Sequence, residues 1–139
     1  MAWWGYALAS AVAAGATAVL AKLGVERVPS NLATAVRTGI VLAFAWGIVL
    51  ARGEQRALPA ISARSWWFLG LSGVATGLSW LAYFRALQIA PASRVAPIDR
   101  LSLVFTVILA ALFLGESVPW QLGVGATLMV AGALLTLAA

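Results

Sequence analysis

Five long apolar stretches, separated by short breaks, restrict this chain to a fold that crosses a membrane. They cover Trp3–Leu23, Leu32–Leu50, Trp66–Ala86, Ser93–Leu114 and Trp120–Leu137. Each is close to the length of about 20 helical residues that spans a hydrocarbon core of about 30 Å. Only 9% of the residues are charged, whereas a soluble domain has roughly a quarter. The sequence therefore predicts an all-α integral membrane protein, a five-transmembrane-helix bundle in which residues 1–139 form a single domain.

Proline and tryptophan mark the boundaries of these stretches. Pro29 separates the first two, because proline cannot continue a helix interior. Five tryptophans stand where stretches begin, as an aromatic belt requires: Trp3, Trp4, Trp66, Trp67 and Trp120. This agreement favours five spans. A four-span arrangement, with the fourth stretch re-entrant at its Pro97 end, is the alternative.

Composition excludes several classes of function. The net charge is +5, but the basic residues are scattered at helix ends and in loops instead of forming one face. We therefore expect contact with the lipid bilayer and no binding of nucleic acid. The chain has no cysteine and no histidine, and no pair of acids converges on one point. Thiolate chemistry and the commonest metal ligand are thus missing, and we expect no enzymatic activity, no metal and no cofactor.

The basic residues at the span ends and in the loops bear on orientation. With five spans, the face that holds the N-terminus carries Arg52, Arg56 and Arg64, and the other face carries Lys22, Arg27, Arg85 and Arg94. Cytoplasmic loops carry an excess of Lys and Arg, so a difference of one charge sets orientation weakly. Two interpretations remain open. Either the long loop dominates and the chain inserts one way, or copies insert in both senses and pair antiparallel.

Polar residues inside the spans recur at helical spacing and predict the wall of a cavity. Ser72, Thr76, Ser79 and Tyr83 share one face of the third stretch, and Asp99, Ser102 and Thr106 share one face of the fourth. The fifth stretch has almost no polar residue and suggests a scaffold. The competing interpretation is that such hydroxyls bond their own backbone or a neighbouring helix. The residues predicted to line a cavity or contact substrate are Tyr6, Ser10, Thr17, Arg37, Thr76, Ser79, Trp80, Tyr83, Asp99, Arg100, Ser102 and Thr106.

Asp99 and Arg100 are costly in this setting. A charge at mid-membrane costs roughly 2.5–3.5 kcal/mol on insertion scales. Asp99 lies about 9 Å below Ser93 at 1.5 Å per helical residue, too deep for its short side chain to reach the interface. We expect it to pair with Arg100, Arg37 or Lys22, either as a structural pair or as a group that couples transport to an ion. Pro97 is expected to kink the helix beside the pair, and Arg100 to point about 100° away from Asp99 on a regular helix.

The run Ala86-Leu-Gln-Ile-Ala-Pro-Ala-Ser-Arg-Val-Ala-Pro-Ile-Asp-Arg-Leu-Ser-Leu-Val-Phe-Thr resembles the signature of the EamA family in the drug/metabolite transporter superfamily. The later Leu-Gly-Glu at residues 114–116 and the glycines of the last stretch match as well. Typical members have two inverted five-helix repeats around a central cavity and work by alternating access. The resemblance implies that this chain is one half of such an inverted repeat, and that a second, inverted copy supplies the other half.

The resemblance also shapes the functional hypothesis. Small multidrug-resistance relatives depend on a carboxylate in the first helix, and this chain has none there, so Asp99 is the candidate for coupling. The leading hypothesis is a secondary transporter of small metabolites or drug-like amphiphiles, working as an antiparallel homodimer in a bacterial inner membrane. The alternatives are a flippase for a lipid-linked substrate and a non-transporting scaffold or subunit of a heteromer.

Overall fold

The computed structural model describes residues 2–138, except for the side chain of Ala138. Within this range the chain forms helices and turns and no strand. The α-helices are α1 (Trp3–Val25), α2 (Ser30–Arg52), α3 (Ala63–Ile89), α4 (Ala92–Asp99), α5 (Ser102–Leu109) and α6 (Trp120–Ala138). A 3₁₀ helix covers Glu54–Ala60, and a π-helical segment covers Ala110–Leu114.

Five spans are long and apolar enough to cross a membrane: Trp3–Val25, Ser30–Arg52, Ala63–Ile89, Ala92–Leu114 and Trp120–Leu137. They correspond one to one with the five apolar stretches of the sequence, and most extend a few residues further at one or both ends. The predicted fold class, a bundle of five transmembrane helices, is therefore confirmed.

Local chemistry explains where several of these helices begin and end. The Ser62 hydroxyl accepts a hydrogen bond from the Ser65 amide at 3.1 Å, so it caps the first turn of α3. Gly53 ends α2 in the left-handed conformation, with φ of 72°, and its amide donates to the carbonyls of Val49 and Leu50. Gly115 ends the π-helical segment in the same way, with φ of 67°. Glycine suits both positions because it has no Cβ to oppose a positive φ.

The fourth span is not one regular helix. After Asp99 the backbone tightens: the amides of Leu101, Leu103 and Val104 donate to carbonyls three residues earlier, at 3.0 Å each. This is the 3₁₀ pattern, and it separates α4 from α5. Pro97 itself lies inside α4, so the irregularity follows the proline by about one turn instead of starting at it. Because the turn of 100° per residue belongs to a regular α-helix, the angle predicted between Asp99 and Arg100 does not apply here.

The chain divides into two compact units. The central unit is Leu20–Ile89, and the terminal unit combines the described residues of Met1–Val19 and Ala90–Ala139. In the central unit α2 packs against α3, and its most buried side chains are Leu87, Val25 and Phe84, which are 0%, 1% and 3% exposed. In the terminal unit α6 packs against α4 and α5, and Val95 and Ala133 are buried.

Candidate functional site

The most elaborate side-chain arrangement in the central unit surrounds Arg37, seven residues into α2. Its guanidinium carbon lies 3.9 Å from the centroid of the Trp80 ring and 5.6 Å from that of the Phe84 ring. Trp80 and Phe84 are one turn apart on α3, so they present two rings to one cation. Such cation–π contacts contribute about 0.5–1 kcal/mol when exposed and about 2 kcal/mol or more when desolvated. Arg37 is half-buried, which places it between these limits.

Two hydrogen-bonded caps position the end of α3 that carries this site. The Lys22 ammonium, near the end of α1, donates to the Leu87 carbonyl in the last turn of α3 at 2.6 Å. In return the Gln88 amide, from α3, donates to the carbonyls of Val25 and Val28 at 3.3 and 2.7 Å. Carbonyls at helix ends lack partners within their own helix, so each helix satisfies the end of the other.

Arg85 completes this cluster. Its guanidinium donates to the side-chain oxygen of Gln88 at 3.1 Å, which leaves the Gln88 amide nitrogen to the two carbonyls of the α1 end. Lys22 and Arg85 lie near the ends of their spans, and both act as hydrogen-bond donors there. Gln88 was not among the predicted site residues. A glutamine in the last turn of an apolar span was the signal for it, since an amide there needs partners.

The Arg37 guanidinium forms no ion pair with a described carboxylate, although Tyr83 on α3 lies close enough to interact with it electrostatically. None of the residues that the structure describes accepts a hydrogen bond from its guanidinium, and no carboxylate oxygen of a described residue lies within 4 Å of it. The ion pair that the described side chains do form joins Arg52 to Glu54 at 3.5 Å, where both groups are exposed. An arginine has five N–H donors, so this site has unused capacity for an acceptor.

Asp99 and Arg100 lie in the terminal unit, at the tightened turn that ends α4. Both side chains are exposed, and no ion pair within 4 Å joins them. Arg100, one of the three expected partners of Asp99, is therefore not paired with it among the described residues. Adjacent residues on a helix do not face each other, so these two side chains of opposite charge do not meet.

Two threonines of the predicted cavity wall bond the backbone of their own helices. Thr76 donates to the Ser72 carbonyl and Thr106 to the Ser102 carbonyl, each at 2.9 Å. Thr34 and Thr38 on α2 and Thr127 on α6 follow the same i to i−4 pattern. For these threonines the interpretation as backbone-bonded hydroxyls is confirmed.

The remaining predicted residues are distributed over both units. Tyr6, Ser10 and Thr17 lie along the part of α1 in the terminal unit; the first two are exposed and Thr17 is half-buried. Ser79 and Ser102 are exposed, and Tyr83 is half-buried next to Phe84 in the sequence. Among the twelve predicted residues, Arg37 on α2 and Trp80 on α3 bring side chains of two different helices into contact.

Comparisons with known proteins bear on the whole chain. Residues 1–138 match the family described as the EamA-like transporter family. A protein of Sinorhizobium sp., named as an uncharacterized transporter in the cobO 3' region, is 48% identical over 133 residues, which cover 96% of this chain and 94% of the relative. No solved structure matches the chain. The five membrane-crossing helices and this family match agree, and the chain belongs to the EamA-like transporter family.

Proposed function

We propose that this protein is a secondary transporter that moves small metabolites or drug-like amphiphiles across a bacterial inner membrane by alternating access. Its family and the transporter name of its Sinorhizobium relative support this assignment. The match covers 94% of that relative, so a protein named as a transporter also consists of about one such five-helix chain. A chain of this size can therefore form one subunit of a transporter.

The observation that carries the proposal is the exposure of Asp99 and Arg100 within a membrane span. Asp99 lies seven residues after the first residue of the span Ala92–Leu114, about 10 Å along the helix. Exposed to lipid, each charge would cost roughly 2.5–3.5 kcal/mol. A water-filled pathway or a second polar surface removes this cost. Ionisable residues inside membrane spans accordingly mark substrate and ion pathways.

A second copy of the chain is the proposed source of that surface. In the five spans at most 11% of the residues of an 18-residue window are buried within the chain itself. We propose an antiparallel homodimer, in which an inverted copy supplies the second half of the repeat. Inverted-repeat transporters hold substrate near the bilayer midplane between their repeats. The near balance of basic residues between the two faces favours insertion in both senses.

Within this proposal Asp99 couples transport to an ion, and the polar residues of the spans line the pathway. The lining set is Tyr6, Ser10, Thr17, Arg37, Thr76, Ser79, Trp80, Tyr83, Arg100, Ser102 and Thr106. Asp99 is preferred over Glu116 for coupling because Glu116 lies outside the helices, between the π-helical segment and α6.

The test is gradient-driven flux into proteoliposomes of small amphiphiles selected by thermal shift. Asp99→Asn is expected to abolish flux driven by a proton or sodium gradient while the protein still assembles. Glu116→Gln is the matched control, since it removes an acid outside the helices, and it should retain flux. Unchanged gradient-driven flux in Asp99→Asn would contradict the coupling role. Absence of flux for every compound with intact wild-type protein would contradict transport and favour the scaffold alternative.

A further inference from the structure

The available donors of Arg37 point to the chemical class of the substrate. Arg37 lies in a membrane span, where each unsatisfied polar group costs several kcal/mol. Its contacts with Trp80 and Phe84 engage the charge through ring faces and use none of its N–H groups as conventional hydrogen-bond donors. No hydrogen bond joins these donors to an acceptor among the described residues, so an acceptor that binds there would satisfy them.

The charge distribution of the chain favours an acceptor that is an anion. The central unit contains seven Lys and Arg residues against two acids, Glu26 and Glu54, whereas the terminal unit has two of each sign. The net charge of +5 therefore belongs to the central unit. Glu54 is paired with Arg52, and Glu26 lies exposed just after α1 ends. No acid in the central unit is thus placed to neutralise Arg37.

The surroundings of Arg37 describe the rest of the ligand. Trp80, on whose ring the guanidinium lies, is half-buried, so part of its apolar surface is accessible beside the cation. This surface suits an apolar or aromatic body attached to the anionic group. Guanidinium groups bind carboxylate and phosphate through paired hydrogen bonds, which a simple point charge does not provide.

We infer that Arg37, held on Trp80, binds the oxyanion group of an otherwise apolar substrate, either a carboxylate or a phosphate ester. This inference rests on the proposed transport function for its biological meaning, but it concerns binding and can be measured without transport. The oxyanion could belong to a soluble molecule or to a lipid head group, and the two sources are separated below.

The experiment compares charged and neutral probes on the purified full-length protein by isothermal titration in a neutral detergent. The probe pairs are 3-phenylpropionate with 3-phenylpropionamide, and phenyl phosphate with phenol. The anion is expected to bind about 10- to 100-fold more tightly than its neutral partner, the range for a hydrogen bond to a charged group. A third measurement adds vesicles of phosphatidylglycerol or of phosphatidylcholine, to test the lipid as the source.

Arg37→Gln should abolish the preference for anions. Arg64→Gln is the matched control, because Arg64 also lies over a ring of α3, at 5.8 Å from Phe68, but at the start of that helix. It should keep the wild-type preference. Arg37→Lys keeps a positive charge but lacks the paired donors, so its preference should fall below that of the wild type. Arg37→Lys also tests the inference if Arg37→Gln does not fold.

Several results would decide the matter. The inference is overturned if the wild type shows no preference for the anion with either probe pair and none for phosphatidylglycerol over phosphatidylcholine. It is also overturned if both Arg37 variants keep the full wild-type preference. A preference for phosphatidylglycerol alone that Arg37→Gln removes supports the oxyanion site with a lipid as its source. Flux of neutral amphiphiles without any anion preference contradicts this inference and leaves the transport function standing. Arg37-dependent anion binding without flux of any compound contradicts transport and leaves the site standing.

Discussion

At the scale of single residues, Lys22 and Gln88 show how a few polar groups organise apolar helices. Each lies near the end of one helix and donates to carbonyls at the end of the other. In a membrane the last carbonyls of a helix have few alternative partners, so these bonds satisfy the helix ends and tie the end of α1 and the turn after it to the end of α3. The position of the Arg37 side chain also depends on α3, because Trp80 and Phe84 lie on that helix just before these caps.

Removal of one cap should lower stability. Gln88→Ala deletes three hydrogen bonds, two to backbone carbonyls and one from Arg85, which contribute about 0.5–1.5 kcal/mol each, so we expect a loss of about 1.5–4.5 kcal/mol. Thermal unfolding in detergent measures this as a lower midpoint. Gln121→Ala is the control, because Gln121 is exposed at the start of α6 and its side chain makes no hydrogen bond with the described residues. Equal midpoints for the two variants would show that the caps contribute nothing.

At the scale of elements, the fourth span differs from the other four because its backbone changes pattern twice. A 3₁₀-type turn joins α4 to α5, and a π-helical segment follows α5. The Gly115 and Glu116 amides both donate to the Ala110 carbonyl, which closes the wider π turn. Such irregularities are frequent at functional sites, and here the first of them carries Asp99 and Arg100. The two-turn helix α5 is thus bounded by a tighter and a wider turn.

The conformation of Gly115 provides a test of this element. A Cβ added at Gly115 would meet no atom within 4 Å, and the same is true of Gly125 in α6, so crowding does not distinguish the two positions. Of these two glycines, only Gly115 has a positive φ, of 67°. Gly115→Ala should therefore destabilise the protein by about 1–2 kcal/mol. Gly125→Ala should leave it unchanged or stabilise it by up to about 1 kcal/mol. Thermal unfolding distinguishes the two variants, and a loss of the same size in both would contradict the argument.

At the scale of the whole molecule, we expect the distribution of positive charge to influence both insertion and ligand preference. At the span ends and in the loops the two membrane faces differ by a single basic residue. Such a balance permits insertion in both senses, and an antiparallel dimer would then present two copies of Asp99 and two of Arg37. Copies that are all inserted in one orientation would not assemble the proposed transporter.

Charge variants that bias insertion should therefore inactivate transport separately and restore it together. Arg56→Gln with Arg64→Gln leaves one basic residue on the face of the N-terminus against four, so this face should be external. Arg27→Gln with Arg94→Gln and Ala57→Lys gives four against two and the opposite orientation. A C-terminal tag reports orientation by its accessibility, and flux is measured for each variant and for both together. Wild-type flux from either variant alone would contradict the antiparallel dimer.

The number and approximate bounds of the spans follow from the sequence alone. The resemblance of the run around Asp99 also indicated the family. The spans can be predicted because hydropathy is a local property of the sequence. A stretch of about 20 apolar residues crosses the membrane as a helix, which satisfies the hydrogen bonds of its own backbone. The self-bonded threonines were also foreseeable as one of two interpretations, since a hydroxyl and the carbonyl four residues earlier are always neighbours on a helix.

Which polar side chains meet follows from the way the helices pack. Lys22 and Leu87 are 65 positions apart, and Gln88 and Val28 are 60 apart, so no local pattern could pair them. Asp99 and Arg100 are adjacent and of opposite charge, yet adjacent residues on a helix point apart, and no ion pair joins them. Arg37 was expected to face either substrate or Asp99, and the packing of α2 on α3 places it on Trp80 with its donors available. Contacts of this kind depend on how helices pack, and packing is set by the shapes of surfaces that are distant in the sequence.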